Sequence, residues 1–187
     1  MTTLWTDLDG TIADLFTPWI AWANERYGTA VRPEDVTTYR LQDVFPPKVG
    51  GRIFSYLRGV GVYTDLEPYP GAVEALDAIA TRDDVIIRGM SVVPWNDVRI
   101  LKEKIQWLHE RFKGVHGPHP AQTDGEKARF IEDGDIVIDD CPETLLACRQ
   151  RTDQVLVIDR PYNQGLPNIQ RVSDWDAALI VIQQWLS

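Results

Sequence analysis

Five polar side chains of this sequence stand at or directly after the end of an apolar run. Asp7 and Asp9 close the first run, Ser91 follows the second, and Asp139 and Asp140 follow a later one. In an open parallel sheet the carboxyl ends of the strands meet at one edge, where ligands bind. Four carboxylates at one edge would repel each other and raise each other's pKa, so the pattern predicts a bound cation.

The spacing of these carboxylates indicates which cation and which chemistry. Mg2+ prefers oxygen ligands and is held by one or two carboxylates together with the oxygens of a substrate phosphate. Asp7 and Asp9 are two residues apart, so in an extended chain they face the same way. One can attack a phosphorus atom while the other reaches the leaving oxygen. Asp139 and Asp140 alone would also fit a helix cap before Pro142, but Asp7 and Asp9 favour metal binding.

The elements that position these residues alternate between apolar runs and helical patterns. This alternation predicts an α/β fold, a Rossmann-like parallel sheet with helices on both faces. Strands are predicted at 3–8, 84–90, 136–138 and 155–158, and helices at 15–27, 48–57, 70–80, 96–112, 126–131, 143–149 and 175–186. Residues 115–121 are predicted to be a loop.

The pattern changes between residues 29 and 69, where prolines and glycines break the chain into short pieces and no strand is visible. We interpret this part as a small helical insertion after the first strand. The predicted domains are therefore a core of residues 1–14 and 70–187 and a helical cap of residues 15–69.

Charge and composition exclude several classes of protein. Acidic residues number 28 against 19 basic ones, a net charge of −9, which argues against binding a nucleic acid polymer. The two cysteines, Cys141 and Cys148, flank one predicted helix and are expected to be reduced. No apolar window is long enough to cross a membrane, and the first residues do not resemble a signal peptide. We expect a cytoplasmic protein.

The run Asp7-Leu8-Asp9-Gly10-Thr11 resembles the first motif of the haloacid dehalogenase superfamily. Ser91, Lys127 and the pair Asp139-Asp140 follow in the order of its later motifs. For a phosphatase, the resemblance implies that Asp7 is the nucleophile and Asp9 the general acid and base. It also implies that Ser91 and Lys127 hold the phosphate. Mg2+ would be bound by Asp7, the Asp9 backbone carbonyl and Asp140, with Asp139 in support.

Four further segments resemble the 5′(3′)-deoxyribonucleotidases within that superfamily, namely residues 65–76, 104–108, 138–143 and 173–175. This resemblance implies a cap inserted just after the first motif and a nucleotide substrate. It also implies an aromatic pocket for the base, for which the candidate residues are Phe16, Trp19, Phe45 and Tyr56. The family habit and the aromatic insertion together hint at a homodimer.

Three residues differ from the deoxyribonucleotidase pattern. Met90 stands where that family has a hydroxyl, and Leu15 and Leu57 stand where it has aromatic residues. Two alternatives therefore accompany the nucleotidase hypothesis: a phosphatase for another small metabolite, and a catalytically weak nucleotide-binding module.

Two sets of residues that could be taken for functional ones are predicted to lie on the surface. Lys102 and Lys104 are expected on the exposed side of a helix. His116 and His119 are expected in a surface loop rather than in a metal site.

Overall fold

A six-stranded parallel sheet forms the centre of the computed structural model, which describes all residues from 1 to 187. The strands are β1 (Thr2–Asp7), β2 (Val85–Val92), β3 (Val115–Ala121), β4 (Ile136–Asp139), β5 (Gln154–Ile158) and β6 (Gln170–Val172). Their order is β3-β2-β1-β4-β5-β6, with every pair parallel. Because β1 lies between β2 and β4, the ends of all three strands meet, as the polar residues predicted. The Rossmann-like fold is confirmed.

Helices cover both faces of this sheet. The α-helices of the chain are α1 (Phe16–Tyr27), α2 (Pro47–Gly50), α3 (Ala72–Ala80), α4 (Val98–Arg111), α5 (Pro142–Cys148) and α6 (Trp175–Trp185), of which α3 to α6 pack against the strands. Successive strand residues point to opposite faces. Leu4 and Ile138 accordingly belong to the larger apolar cluster, with α3, α4 and α6, while Trp5 and Val137 belong to a smaller cluster with α5. No helix combines the length and the apolar character that crossing a bilayer requires.

Residues 15–69, which the sequence predicts to be a helical insertion, contain α1, α2 and the short 3₁₀ helices Pro33–Asp35, Leu41–Asp43 and Ile53–Arg58, but no strand. The two ends of this segment lie side by side. Asp14 N–H donates to Glu67 O at 2.9 Å, Tyr69 N–H donates to Ile12 O at 2.9 Å, and Ala13 forms an antiparallel bridge with Pro68. The chain therefore leaves and rejoins the sheet at one place, directly beyond Asp7.

The structure corrects two predictions about elements and adds one strand that was not predicted. The predicted helix 48–57 is divided into α2 and the 3₁₀ helix Ile53–Arg58. The predicted loop 115–121 is the edge strand β3, which tolerates Pro118 and Pro120 because an edge strand pairs on only one side. His119 lies on this strand and packs edge-on against Trp5, with ring centroids 5.1 Å apart. The three-residue strand β6 was not predicted.

Candidate active site

Asp7 is the last residue of β1 and is buried against a lysine. Lys127, itself 1% exposed, places Nζ 2.8 Å from Asp7 Oδ1, 3.2 Å from Asp139 Oδ2 and 3.3 Å from Asp124 Oδ1. Burial alone would lower the pKa of Lys127, but the three carboxylates outweigh it and raise that pKa well above its ordinary value. Lys127 therefore stays charged beside the predicted nucleophile, and three of the predicted site residues are together.

Asp7, Asp139 and Asp140 form a cluster whose ligand oxygens all lie within 4.8 Å of one another. Burial is the main cause that raises the pKa of each: that of Asp7 well above its ordinary value, and that of Asp139 to about 7. Lys127 opposes this rise without cancelling it. A set of buried carboxylate oxygens short of positive charge suits a hard divalent cation. The Asp9 carboxylate is not part of the cluster, so the atom of Asp9 that is predicted to bind the metal remains its backbone carbonyl oxygen.

Asp140 is held in place by two hydroxyl groups. Thr11 Oγ1 donates to Asp140 Oδ1 at 2.7 Å, and Tyr162 OH donates to Asp140 Oδ2 at 2.5 Å. These hydrogen bonds lower the pKa of Asp140 against the larger effect of burial. The carboxylate also sits directly against the backbone of Gly10, where a Cβ atom would be 2.4 Å from Oδ2.

Gly10→Ala is expected to damage the site through this contact. Gly10 has φ +83°, where an L-residue costs about 1–2 kcal/mol, and the added methyl group would also displace the Asp140 carboxylate. We expect divalent-cation affinity to fall at least about tenfold, in line with losses of supporting contacts at metal sites. Isothermal titration with the metal measures this.

Gly134→Ala is the matched control, since Gly134 has φ +84° and open space around its Cβ position. Gly134→Ala therefore carries only the free-energy cost of placing a non-glycine residue at a positive φ. Equal losses of metal affinity in the two variants would show that Asp140 tolerates the methyl group.

Lys104 is buried in the site, which corrects the prediction that it lies on the surface. It is 1% exposed, and its Nζ forms an ion pair with Asp9 Oδ2 and donates to Ser91 Oγ at 2.8 Å. Lys102, two residues earlier on α4, is exposed as expected. The site thus contains two buried lysines, one beside each aspartate of the first motif.

Ser91 lies inside β2 rather than after it, and its side chain is fully buried. Its hydroxyl accepts from Lys104 Nζ and donates to Val92 O at 3.3 Å. Met90 pairs with Asp7 across the sheet and packs into the smaller apolar cluster with Trp5. In this structure the hydroxyl of Ser91 is hydrogen-bonded to Lys104 rather than to a phosphate. The predicted contact of Ser91 with a phosphate therefore stays a prediction.

A cavity of about 250 Å3 lies between these residues and the insertion. Asp7, Asp9 and Lys127 line it, as do Phe16 and Trp19 from α1. The remaining lining side chains come mostly from the insertion and include Leu15, Tyr39, Arg40, Leu41, Phe54, Leu57 and Tyr63. The cavity therefore combines a charged end with an aromatic and aliphatic wall.

Two of the four aromatic candidates, Phe45 and Tyr56, are not among the residues that line this cavity. Phe45 is 4% exposed and belongs to the larger apolar cluster. Tyr56 stacks on Trp19, with ring centroids 6.3 Å apart and planes 18° from parallel. Phe45 and Tyr56 thus support the wall from behind.

Sequence reasoning missed four residues that complete the site: Thr11, Lys104, Asp124 and Tyr162. Thr11 belongs to the recognised first motif, but its bond to Asp140 could not be read from spacing. Asp124 precedes Lys127 by three residues, one helical turn, which was a usable signal. Tyr162 lies in the 3₁₀ helix Pro161–Asn163 after β5 and carried no signal at all. Lys104 did carry one, because Ile100, Lys104 and Trp107 share one helix face.

Comparison with known proteins is consistent with this site. Residues 1–185 match the family model described as 5′ nucleotidase, deoxy (pyrimidine), cytosolic type C protein (NT5C). A 5′(3′)-deoxyribonucleotidase of Clostridium acetobutylicum is 23% identical over 173 residues, covering 92% of this chain and 90% of that protein. A Bordetella pertussis protein, given the same activity as a provisional name, is 28% identical over 172 residues, or 90% of this chain and 89% of its own.

Among solved structures, a haloacid dehalogenase-like hydrolase from Streptococcus pneumoniae superposes with a TM-score of 0.63 at 12% identity. The match covers 100% of this chain and 99% of that one, and it shows the shared fold. The family model covers nearly the whole chain. Of the predicted motif residues, Asp7, Asp9 and Lys127 line one cavity. The chain therefore belongs to the family described as 5′ nucleotidase, deoxy (pyrimidine), cytosolic type C, and is a phosphoric monoester hydrolase.

Proposed function

We propose that this enzyme is a Mg2+-dependent 5′(3′)-deoxyribonucleotidase that releases phosphate from deoxynucleoside monophosphates. The observation that carries the proposal is the position of Asp7. Its carboxylate is buried at the end of the central strand, 2.8 Å from Lys127 Nζ, and lines a cavity that also contains aromatic side chains. The curated relative from Clostridium acetobutylicum bears this activity in its name.

In the proposed reaction Asp7 attacks the phosphorus atom in line. A bond forms between a carboxylate oxygen of Asp7 and phosphorus while the bond from phosphorus to the sugar oxygen breaks. Asp9 donates a proton to the leaving sugar oxygen. Asp9 then accepts a proton from the water molecule that attacks the aspartyl-phosphate, which frees inorganic phosphate and restores Asp7. Lys127 balances the charge of the transferring group, with the predicted help of Ser91.

The carboxylate cluster fits Mg2+ by its donor set, which consists of oxygen atoms only. Asp7 and Asp140 would hold the ion together with the backbone carbonyl of Asp9, and Asp139 would support them while bonded to Lys127. When bound, Mg2+ neutralises charge on the phosphate oxygens and fixes their orientation.

The helical insertion would act as a cap over the substrate. Phe16 and Trp19 both line the cavity, and aromatic rings stack well on a flat nucleobase. Because Phe45 and Tyr56 lie behind the wall, the proposal retains Phe16 and Trp19 as the base-stacking residues. The matched family's description names a cytosolic type, and we propose the same compartment for this chain.

A panel of phosphate monoesters tests the proposal. Phosphate release is measured with deoxynucleotides, ribonucleotides and sugar phosphates, each in Mg2+ and in excess chelator. We expect deoxynucleoside monophosphates to give the highest kcat/KM, and chelator to abolish turnover in every case. Turnover that survives the chelator would contradict the metal requirement.

Two other outcomes would support the alternatives. Faster hydrolysis of a sugar phosphate would favour a different metabolite, as the leucines at positions 15 and 57 of the cavity wall would allow. No hydrolysis of any ester, with nucleotide binding retained, would indicate a binding module.

A further inference from the structure

We infer that Lys104 is a positioning residue for Asp9: it fixes one oxygen of the Asp9 carboxylate so that the other faces the leaving group. The inference rests on the proposed function, in which Asp9 protonates the leaving oxygen. It assigns to α4 a task separate from that of Lys127, which contacts Asp7 and Asp139 on the other side of the nucleophile.

The ammonium group of Lys104 is fully engaged. It has three N–H donors, and three acceptors surround it: Asp9 Oδ2, Ser91 Oγ at 2.8 Å and Val92 O at 2.9 Å. Nζ also lies 4.6 Å from the centre of the Tyr63 ring, within the range of a cation–π contact. Every donor is thus used, and the direction of Lys104 is fixed.

The Asp9 carboxylate is held on one side only. Oδ2 is paired with Lys104, whereas Oδ1 receives no hydrogen bond from the protein. The side chain is 22% exposed and lines the catalytic cavity. An acid that must deliver a proton needs one defined oxygen within hydrogen-bond reach of the leaving atom. Lys104 restricts rotation of the carboxylate and leaves Oδ1 for that purpose.

Helix α4 is itself anchored close to Lys104, which makes it a rigid support. Trp107 Nε1 donates to Leu66 O at 2.7 Å, at the end of the helical insertion. Glu103 accepts from Gly61 N–H at 3.1 Å and from Arg99 Nη1 at 2.7 Å. Neighbouring side chains of α4 therefore form hydrogen bonds with the insertion and with the catalytic acid. A movement of α4 that separated Lys104 from Asp9 would break these bonds.

The inference predicts a dependence on the leaving group. A nucleoside 5′-phosphate has a poor leaving group that needs a proton from Asp9, whereas p-nitrophenolate departs without one. We expect Lys104→Met to lower kcat for the nucleotide about a hundredfold, the usual contribution of a placed general acid. We expect kcat for p-nitrophenyl phosphate to fall less than about threefold, because proton donation contributes little to that ester. KM should stay unchanged for both esters.

Two comparisons sharpen the experiment. Lys102→Met changes an exposed lysine of the same helix and should leave both rates unchanged. Asp9→Asn should likewise lose much more kcat for the nucleotide than for p-nitrophenyl phosphate. The double variant Asp9→Asn, Lys104→Met should be no slower than Asp9→Asn alone, because residues that act as a unit are not additive.

Several results would overturn the inference. Equal loss on both esters would indicate a structural role, a rise in KM would indicate a direct phosphate contact, and unchanged rates would indicate no role. If Lys104→Met lacks a cooperative thermal transition, Lys104→Gln, which keeps polar donors without the charge, carries the same comparison. If the wild type hydrolyses alkyl and nitrophenyl phosphates but no nucleotide, the proposed substrate fails, and the test of Lys104 proceeds with the alkyl ester.

Discussion

Asp7→Asn is expected to reduce phosphate release by at least about four orders of magnitude, the scale of losses when a nucleophile is removed from a concerted site. An amide oxygen of the same shape cannot form the acyl phosphate, so the loss should fall on kcat. A rapid acid quench of the wild type during turnover should give protein carrying one added phosphoryl group on Asp7, detected by peptide mass spectrometry. The variant should carry none.

The same substitution should stabilise the metal-free protein. Burial raises the pKa of Asp7 well above its ordinary value, so the ionised carboxylate is unfavourable where it stands. Lys127 keeps Asp139 and Asp124 as partners after the change. We expect Asp7→Asn to melt at a higher temperature than the wild type in chelator at pH 8. Asp77→Asn, at an exposed position of α3, is the control and should change neither rate nor melting temperature. An Asp7→Asn enzyme with wild-type activity would rule out Asp7 as the nucleophile.

The second large effect is a loss of stability in the metal-free protein as pH rises. Burial raises the pKa of Asp139 to about 7 in the folded protein, from an ordinary value of 3.8. Between these two pH values the unfolded chain releases this proton and the folded protein keeps it, so the free energy of unfolding falls as pH increases. The loss is complete about one pH unit above this folded pKa and is on the order of 4 kcal/mol for such a shift.

Chemical denaturation at pH 5 and pH 8 in chelator measures this difference. Mg2+ should remove most of it, because a cation stabilises the ionised cluster, and its affinity should accordingly increase with pH. Asp139→Asn should be less sensitive to pH than the wild type in chelator. An identical pH dependence in the wild type and in Asp139→Asn would show that this carboxylate is not the titrating group.

The central strands and their polar ends were predictable because buried parallel strands read as uninterrupted apolar runs. β4 has this character, whereas β1 carries it only at Leu4 and Trp5 between threonines. The residues that end the two strands, Asp7 and Asp139, meet as expected. Edge strands lack this signal. β3 contains a glycine and two prolines, and β6 has only three residues, so neither has the pattern of a buried strand.

Lys104 shows why part of the site could not be predicted from residue type alone. A lysine on a helix is usually exposed to solvent, and this general rule led to the prediction that Lys104 lies on the surface. Yet Ile100, Lys104, Trp107 and Leu108 lie on one face of α4, and all four are buried. The helical spacing of these residues would have placed Lys104 on the buried side of α4. A charged residue on an apolar face needs a partner of opposite charge. That partner, Asp9, lies 95 residues earlier in the chain, so only the three-dimensional structure reveals it.

The paired ends of the helical insertion have a consequence for how such enzymes diversify. Backbone bonds between Ile12 and Tyr69 and between Asp14 and Glu67 close the insertion at a single junction. We expect that the segment between these residues can change in length or sequence while the junction, and with it the position of Asp7, is preserved, provided that the contacts of Gly61 and Leu66 with α4 are kept. We therefore expect substrate recognition and reaction to be separable in this architecture, with one core able to carry different insertions that each select a different substrate.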